Sequence, residues 1–98
     1  MWEPGKYTID TVLAGTVVDG IVHTRFALGI HVDEFNRMAV THIASGKRLG
    51  GSLDARYFSN AMAFVEEVGS ITDWAETDID VKPISKQYHE IRKRHGFL

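Results

Sequence analysis

The stretch TVVDGIVHTRF, residues 16–26, sets an Asp-Gly pair between two runs of β-branched residues. Asp19-Gly20 has the chemistry favoured at the two central positions of a type I′ turn, where both residues need positive φ. Flanked by apolar runs, such a pair predicts a two-residue β-hairpin and dictates its register. Val18 then faces Ile21, Val17 faces Val22, Leu13 faces Phe26 and Ile9 faces Ile30. One face of the hairpin would carry Ile9, Leu13, Val17, Val22, Phe26, Leu28 and Ile30, and is the expected core face. The other would carry Asp10, Thr16, His23, Arg25 and His31 with Val12, Val18 and Ile21 among them, a mixture suited to a solvated sheet face. Gly15 falls opposite Thr24, where it marks a bulge or a close helix approach.

Beyond the hairpin, DEFNR (33–37) reads as a turn and MAVTHI (38–43) as a third strand. A second tight turn at ASGK leads into KRL (47–49), a short fourth strand whose Lys47 and Arg48 suit an exposed edge. A helix is predicted over residues 52–68. Ser52 is its N-cap, and Asp54 lies in its first turn, where the dipole favours negative charge. Leu53, Tyr57, Phe58, Ala61, Met62, Phe64, Val65 and Val68 recur at helical spacing, and Gly69 follows as a C′ residue. Trp74 is expected to plug the edge of the core. Pro83 ends an extended segment. A second helix over 85–95 has Ser85 as its N-cap, gathers Arg92, Lys93 and Arg94 in its last turns and is closed by Gly96. Its apolar side is thin: Ile84, Tyr88 and Ile91. The expected fold is α+β: one domain, with a four-stranded antiparallel sheet over 7–49, one helix on one face and a short C-terminal helix.

The size of the chain, 98 residues, suits a single domain. A net charge of −2 argues against a dedicated nucleic-acid binder, which carries a basic excess. The absence of cysteine excludes disulfides and cysteine-based zinc sites. No run reaches the length of a membrane span, and no signal-type apolar core opens the chain. The expectation is a cytoplasmic protein with no membrane partner.

The motifs that could carry chemistry resolve, residue by residue, into simpler roles. SGKRLGGS (45–52) holds the raw material of an anion cradle. A phosphate loop, however, needs its lysine directly after the last glycine, and here Lys47 follows the first. Ser45-Gly46 is instead assigned to the turn, Gly50-Gly51 to a strand-to-helix corner and Ser52 to the cap. His23 and His31, eight residues apart on one predicted strand, would lie roughly 26 Å from each other, too far to share a metal. Asp73, Glu76, Asp78 and Asp80 lack the pattern of a calcium loop and read as a solvated acidic segment. There is no Gly-x-Ser-x-Gly and no cysteine nucleophile. No cofactor, metal or catalytic residue is expected, and the chain reads as non-enzymatic.

Two binding readings follow. In the first, the open sheet face (Val12, Thr16, Val18, Ile21, His23 and Arg25) docks a protein, which includes self-association as a homodimer. Apolar residues around an arginine are interface material. In the alternative, Arg25, Lys47, Arg48, Arg92, Lys93 and Arg94 contact nucleic-acid phosphates.

The segment VTHIASGKRLGGSLDARYFSNAMAFVEEVGSITDW, residues 40–74, resembles a pattern found in small phage and actinobacterial proteins. A strand ending in Thr-His, a Ser-Gly turn, a glycine corner, an Ala/Phe-rich helix and an Asp-Trp follow in order. The resemblance spans about a third of the chain and rests on structural motifs. It implies a phage or prophage accessory protein, acting in the host cytoplasm by binding a host macromolecule, as anti-CRISPR and host-takeover proteins do. It carries over no functional residue.

Overall fold

The computed structural model describes residues 1–11 and 15–97. Five antiparallel strands form one sheet in sequential order: β1 (Trp2–Asp10), β2 (Gly15–His23), β3 (Leu28–Val32), β4 (Arg37–His42) and β5 (Lys47–Asp54). A 3-10 turn (Ala55–Tyr57) leads into helix α1 (Phe58–Val68), and α2 (Ser85–Arg94) follows. The fold is α+β as expected, with five strands in place of four.

The extra strand comes from the N-terminus. Pro4 and Gly5 look like strand breakers, but β1 is an edge strand, where a missing N–H costs no ladder bond. Its presence overturns the predicted hairpin. Asp19 and Gly20 lie inside β2, opposite Lys6 and Gly5, and Val18 faces Tyr7. Ile21 pairs with Ile30 rather than Val18. The chain reverses instead at residues 24–27, where Ala27 takes φ +56° and its N–H closes on the His23 carbonyl at 2.9 Å. Leu13 and Val12 lie outside the described residues.

Register decides which residues are buried. His23, Leu28 and His42 align on the face that meets the helices, as do Ile21, Ile30 and Val40. Leu28, Ile30, Met38 and Val40 are buried there against Ala61, Phe64, Val65 and Val68 of α1 and Ile91 of α2. Val17, placed in the core by the predicted register, is 64% exposed. Phe97 closes the other end of the core, its ring over Gly50 and 4.7 Å from the Phe64 ring. This position explains Gly50: it is no corner, because β5 runs on to Asp54 and a Cβ would stand 2.8 Å from the Phe97 ring. Ser52 is accordingly a strand residue whose hydroxyl accepts from Arg37 Nε, and Asp54 caps the 3-10 turn. At α2, Ile84 occupies the N-cap position assigned to Ser85. Gly96 closes the helix at φ +86°, with the Phe97 N–H bonded back to the Arg92 carbonyl.

Among the described residues the second face of the sheet carries no helix, yet it holds buried residues. The β1–β2 hairpin bends over it, and Asp10 N–H reaches the Gly46 carbonyl in the β4–β5 turn at 2.9 Å. Tyr7 lies beneath this curl, 6% exposed, with its ring over Gly20 and Gly29. Its buried hydroxyl lies near Thr41 but closes no well-formed hydrogen bond. Burial pushes the Tyr7 phenol up to about 12 from 10.0. The folded state therefore holds this proton more tightly than the unfolded state. Its contribution to stability is complete below pH 10 and is lost as pH climbs from 10 towards 12. Tyr7→Phe removes the unpaired hydroxyl. It is expected to leave stability unchanged or raise it by about 1 kcal/mol, and to flatten the alkaline decline in urea-unfolding curves. A loss above about 1 kcal/mol would show that the hydroxyl is bonded.

Candidate functional site: a groove beside His42 and Trp74

The residues expected to form one open face are divided. Ile21 and His23 lie on the helix side, and His23 is 1% exposed. Its ring stacks on Phe26 at 4.5 Å; Nδ1 accepts the Phe26 N–H at 3.3 Å and Nε2–H donates to Glu66 at 2.8 Å. Thr16 and Val18 alternate to the opposite face, and Arg25 sits in the turn with its guanidinium over the Phe26 ring. The shared face required by the first reading is thus not formed.

The basic residues are also spread. Lys47 and Arg48 begin β5, paired with His42 and Thr41, so their side chains leave opposite faces. On α2, Arg92 lies over the Tyr88 ring, and Arg94 is salt-bridged to Glu67, while Lys93 is exposed. Glu67 also accepts from His95 at 2.8 Å; His95 and then Arg94 hold its carboxyl below the usual range. Arg94 is thus engaged within the fold. Lys47 has no ion-pair partner among the described residues.

What the fold does bring together is the end of β4, the start of β5, the segment after Trp74 and α2. These enclose a groove of about 390 Å³. Its apolar wall is Leu49, Ile79, Val81 and Tyr88; Lys47, Thr77 and Asp78 supply polar groups; His42, Ser45 and Trp74 line it as well. Tyr88 is fixed by its hydroxyl, which donates to the Leu49 carbonyl. Val81 is 54% exposed.

A chain of hydrogen bonds sets this part of the groove. Trp74, 3% exposed, donates its indole N–H to the Val68 carbonyl at 2.8 Å, satisfying an orphan acceptor at the end of α1. The Trp74 carbonyl in turn stands 2.7 Å from His42 Nε2. A carbonyl can only accept, so Nε2 carries the proton and, in the neutral ring, Nδ1 is the acceptor. Ser45 Oγ lies 2.7 Å from Nδ1 and donates to it, while the same oxygen accepts the Lys47 N–H at 3.2 Å. The intervening turn is tight because Gly46 takes φ +77° and its N–H bonds the His42 carbonyl at 2.8 Å. The SGKRLGGS stretch is therefore a turn and a strand. No helix begins within it, so the dipole that a phosphate cradle exploits is missing.

The sequence marks Trp74 as a plug and Ser45-Gly46 as a turn, but does not by itself join them to His42. The one signal it offers is the spacing of His42 and Ser45, three residues apart: a tight turn brings such positions face to face. On the opposite side of the sheet, His31 has a buried Nδ1 with no partner among the described residues. Burial lowers its pKa, with Asp33 opposing and Arg48 adding to the effect. No cluster of potential metal ligands occurs among the described residues, and none of their helices is long and apolar enough to cross a membrane. Comparison with protein-family models, with curated proteins and with solved structures finds no match for this chain.

Proposed function

We propose that the chain is a protein-binding module whose docking surface is this groove. The occupant is an extended segment of a partner protein, with one apolar side chain against Ile79 and Val81 and a neighbouring carboxylate towards Lys47. The observation that carries the reading is a half-buried apolar wall, exposed at Val81, adjoining a cation without an ion-pair partner among the described residues. A groove of this volume takes one or two side chains. Charge complementarity at Lys47 supplies orientation. The resemblance over residues 40–74 supports an accessory protein that acts by binding a host macromolecule.

Peptide display on the folded chain tests this. Enriched peptides are expected to pair an acidic residue with an apolar one. Val81→Glu, at an exposed position, is expected to weaken them at least about tenfold, which is roughly 1.4 kcal/mol. Lys47→Glu is expected to reduce the preference for acidic residues. Peptides that bind the wild type and both variants equally would place the docking surface elsewhere. The sheet face around Ile21 is a poor target for such a test, because Ile21 packs on the core and a polar residue there changes stability.

A further inference from the structure

The hydrogen-bond chain through His42 has a chemical consequence that does not depend on what docks in the groove. We infer that Ser45 is an activated nucleophile, a site of covalent acylation or phosphonylation. Three observations converge. First, the bond from His42 Nε2 to the Trp74 carbonyl fixes the tautomer in which Nδ1 offers its lone pair. Second, Ser45 Oγ is 2.7 Å from that lone pair but 3.4 Å from the competing His42 carbonyl, so its proton is directed at the imidazole. Third, both groups line an open groove of about 390 Å³, and Ser45 is only partly buried. Nucleophile, base and a third group that orients the base are the three parts that activate a serine. Here a backbone carbonyl takes the orienting place.

The reactant class is an activated acyl ester or organophosphonate with a small apolar group, which the Leu49, Ile79 and Val81 wall can hold. With a fluorophosphonate, Ser45 Oγ forms a bond to phosphorus, the P–F bond breaks and fluoride leaves, and the Oγ proton passes to His42 Nδ1. With a p-nitrophenyl ester, the Oγ–acyl bond forms as the acyl C–O bond breaks. Nitrophenolate then departs and the same nitrogen takes the proton. Lys47, on the groove wall, supplies positive charge for the oxygen that becomes negative in either step.

The test is labelling of the full chain with a fluorophosphonate probe, followed by intact-mass measurement and peptide mapping. One adduct is expected, on Ser45, forming at least about tenfold faster than on the same chain in denaturant, since general-base assistance contributes 10² or more. Ser45→Ala should abolish the adduct while far-UV circular dichroism stays unchanged. His42→Gln should abolish it too. Because that variant alters a buried residue, nitrogen NMR of the wild-type imidazole serves as an independent readout of the tautomer, with the proton of the neutral ring expected on Nε2 and not on Nδ1. Labelling no faster than in the unfolded chain, an adduct on another serine, or a neutral imidazole with its proton on Nδ1 would each overturn the inference and leave Ser45 as a turn residue.

Discussion

Phe64→Ala is expected to lower the unfolding free energy by about 3–5 kcal/mol. Phe64 is fully buried at the centre of α1. Its ring is tilted against Phe97 at 4.7 Å and edge-on to His95 at 6.2 Å. Truncation removes the transfer free energy of the ring and leaves a cavity that the sheet on one side and α2 on the other cannot easily fill. A domain of this size has about 5–15 kcal/mol in total, so much of its stability rests on this one side chain. Urea unfolding followed by tryptophan fluorescence reads the effect. A loss below about 1 kcal/mol would mean that the helix does not pack as described.

The second large effect is expected at Gly20. An alanine Cβ there would collide with the Ile30 backbone carbonyl and stand 3.0 Å from the Tyr7 hydroxyl. A ring could swing aside, but the carbonyl belongs to the neighbouring strand and cannot move without breaking the β2–β3 pairing. A loss of about 3 kcal/mol is expected, the upper end of what overpacking costs. The companion variant Asp19→Ala separates this from the turn reading. Asp19 is exposed and, among the described residues, its side chain makes only a surface ion pair with Lys6, so its replacement should change stability by no more than about 0.5 kcal/mol. If the pair formed a type I′ turn, Asp19 would contribute by favouring positive φ, and its loss would be felt. Comparable losses at both positions would favour the turn.

The contrast between these two residues shows what the sequence could and could not reveal. Helical periodicity located α2 nearly to the residue and α1 at its C-terminal end, because an apolar repeat of 3.6 residues cannot present a single face from a strand, whose period is two; the expected start of α1 at Ser52 lay six residues early, since residues 52–54 finish β5 and 55–57 form the 3-10 turn. β4 and the turn after it were legible for similar reasons. The hairpin was not, since two signals pointed the wrong way. Asp-Gly, a favoured turn pair, sits mid-strand because Gly20 is needed for close backbone approach. The real reversal at residues 24–27 uses Arg, Phe and Ala, with no glycine, asparagine or proline to announce it. The shift in register then moved His23 and Ile21 from the presumed open face to the helix side, and the expected docking face went with them. In the groove, Trp74 was legible from its size and isolation. The His42–Ser45 bond was not, because it depends on a carbonyl 32 residues away in sequence that fixes the imidazole tautomer.

Tyr7, Gly20 and Gly29 lie on three successive strands, yet they behave as one position. A Cβ on Gly29 would stand 2.6 Å from two carbons of the Tyr7 ring. The phenol and the two missing side chains therefore share one volume. Such a unit varies as a set. Gly29→Ala alone should be poorly tolerated, whereas Gly29→Ala combined with a smaller residue at Tyr7 should recover part of the loss. The non-additivity expected of residues in contact would then appear as a rescue. In a pool of random variants selected only for folding, side chains larger than hydrogen at residue 29 should arise together with a reduced side chain at residue 7.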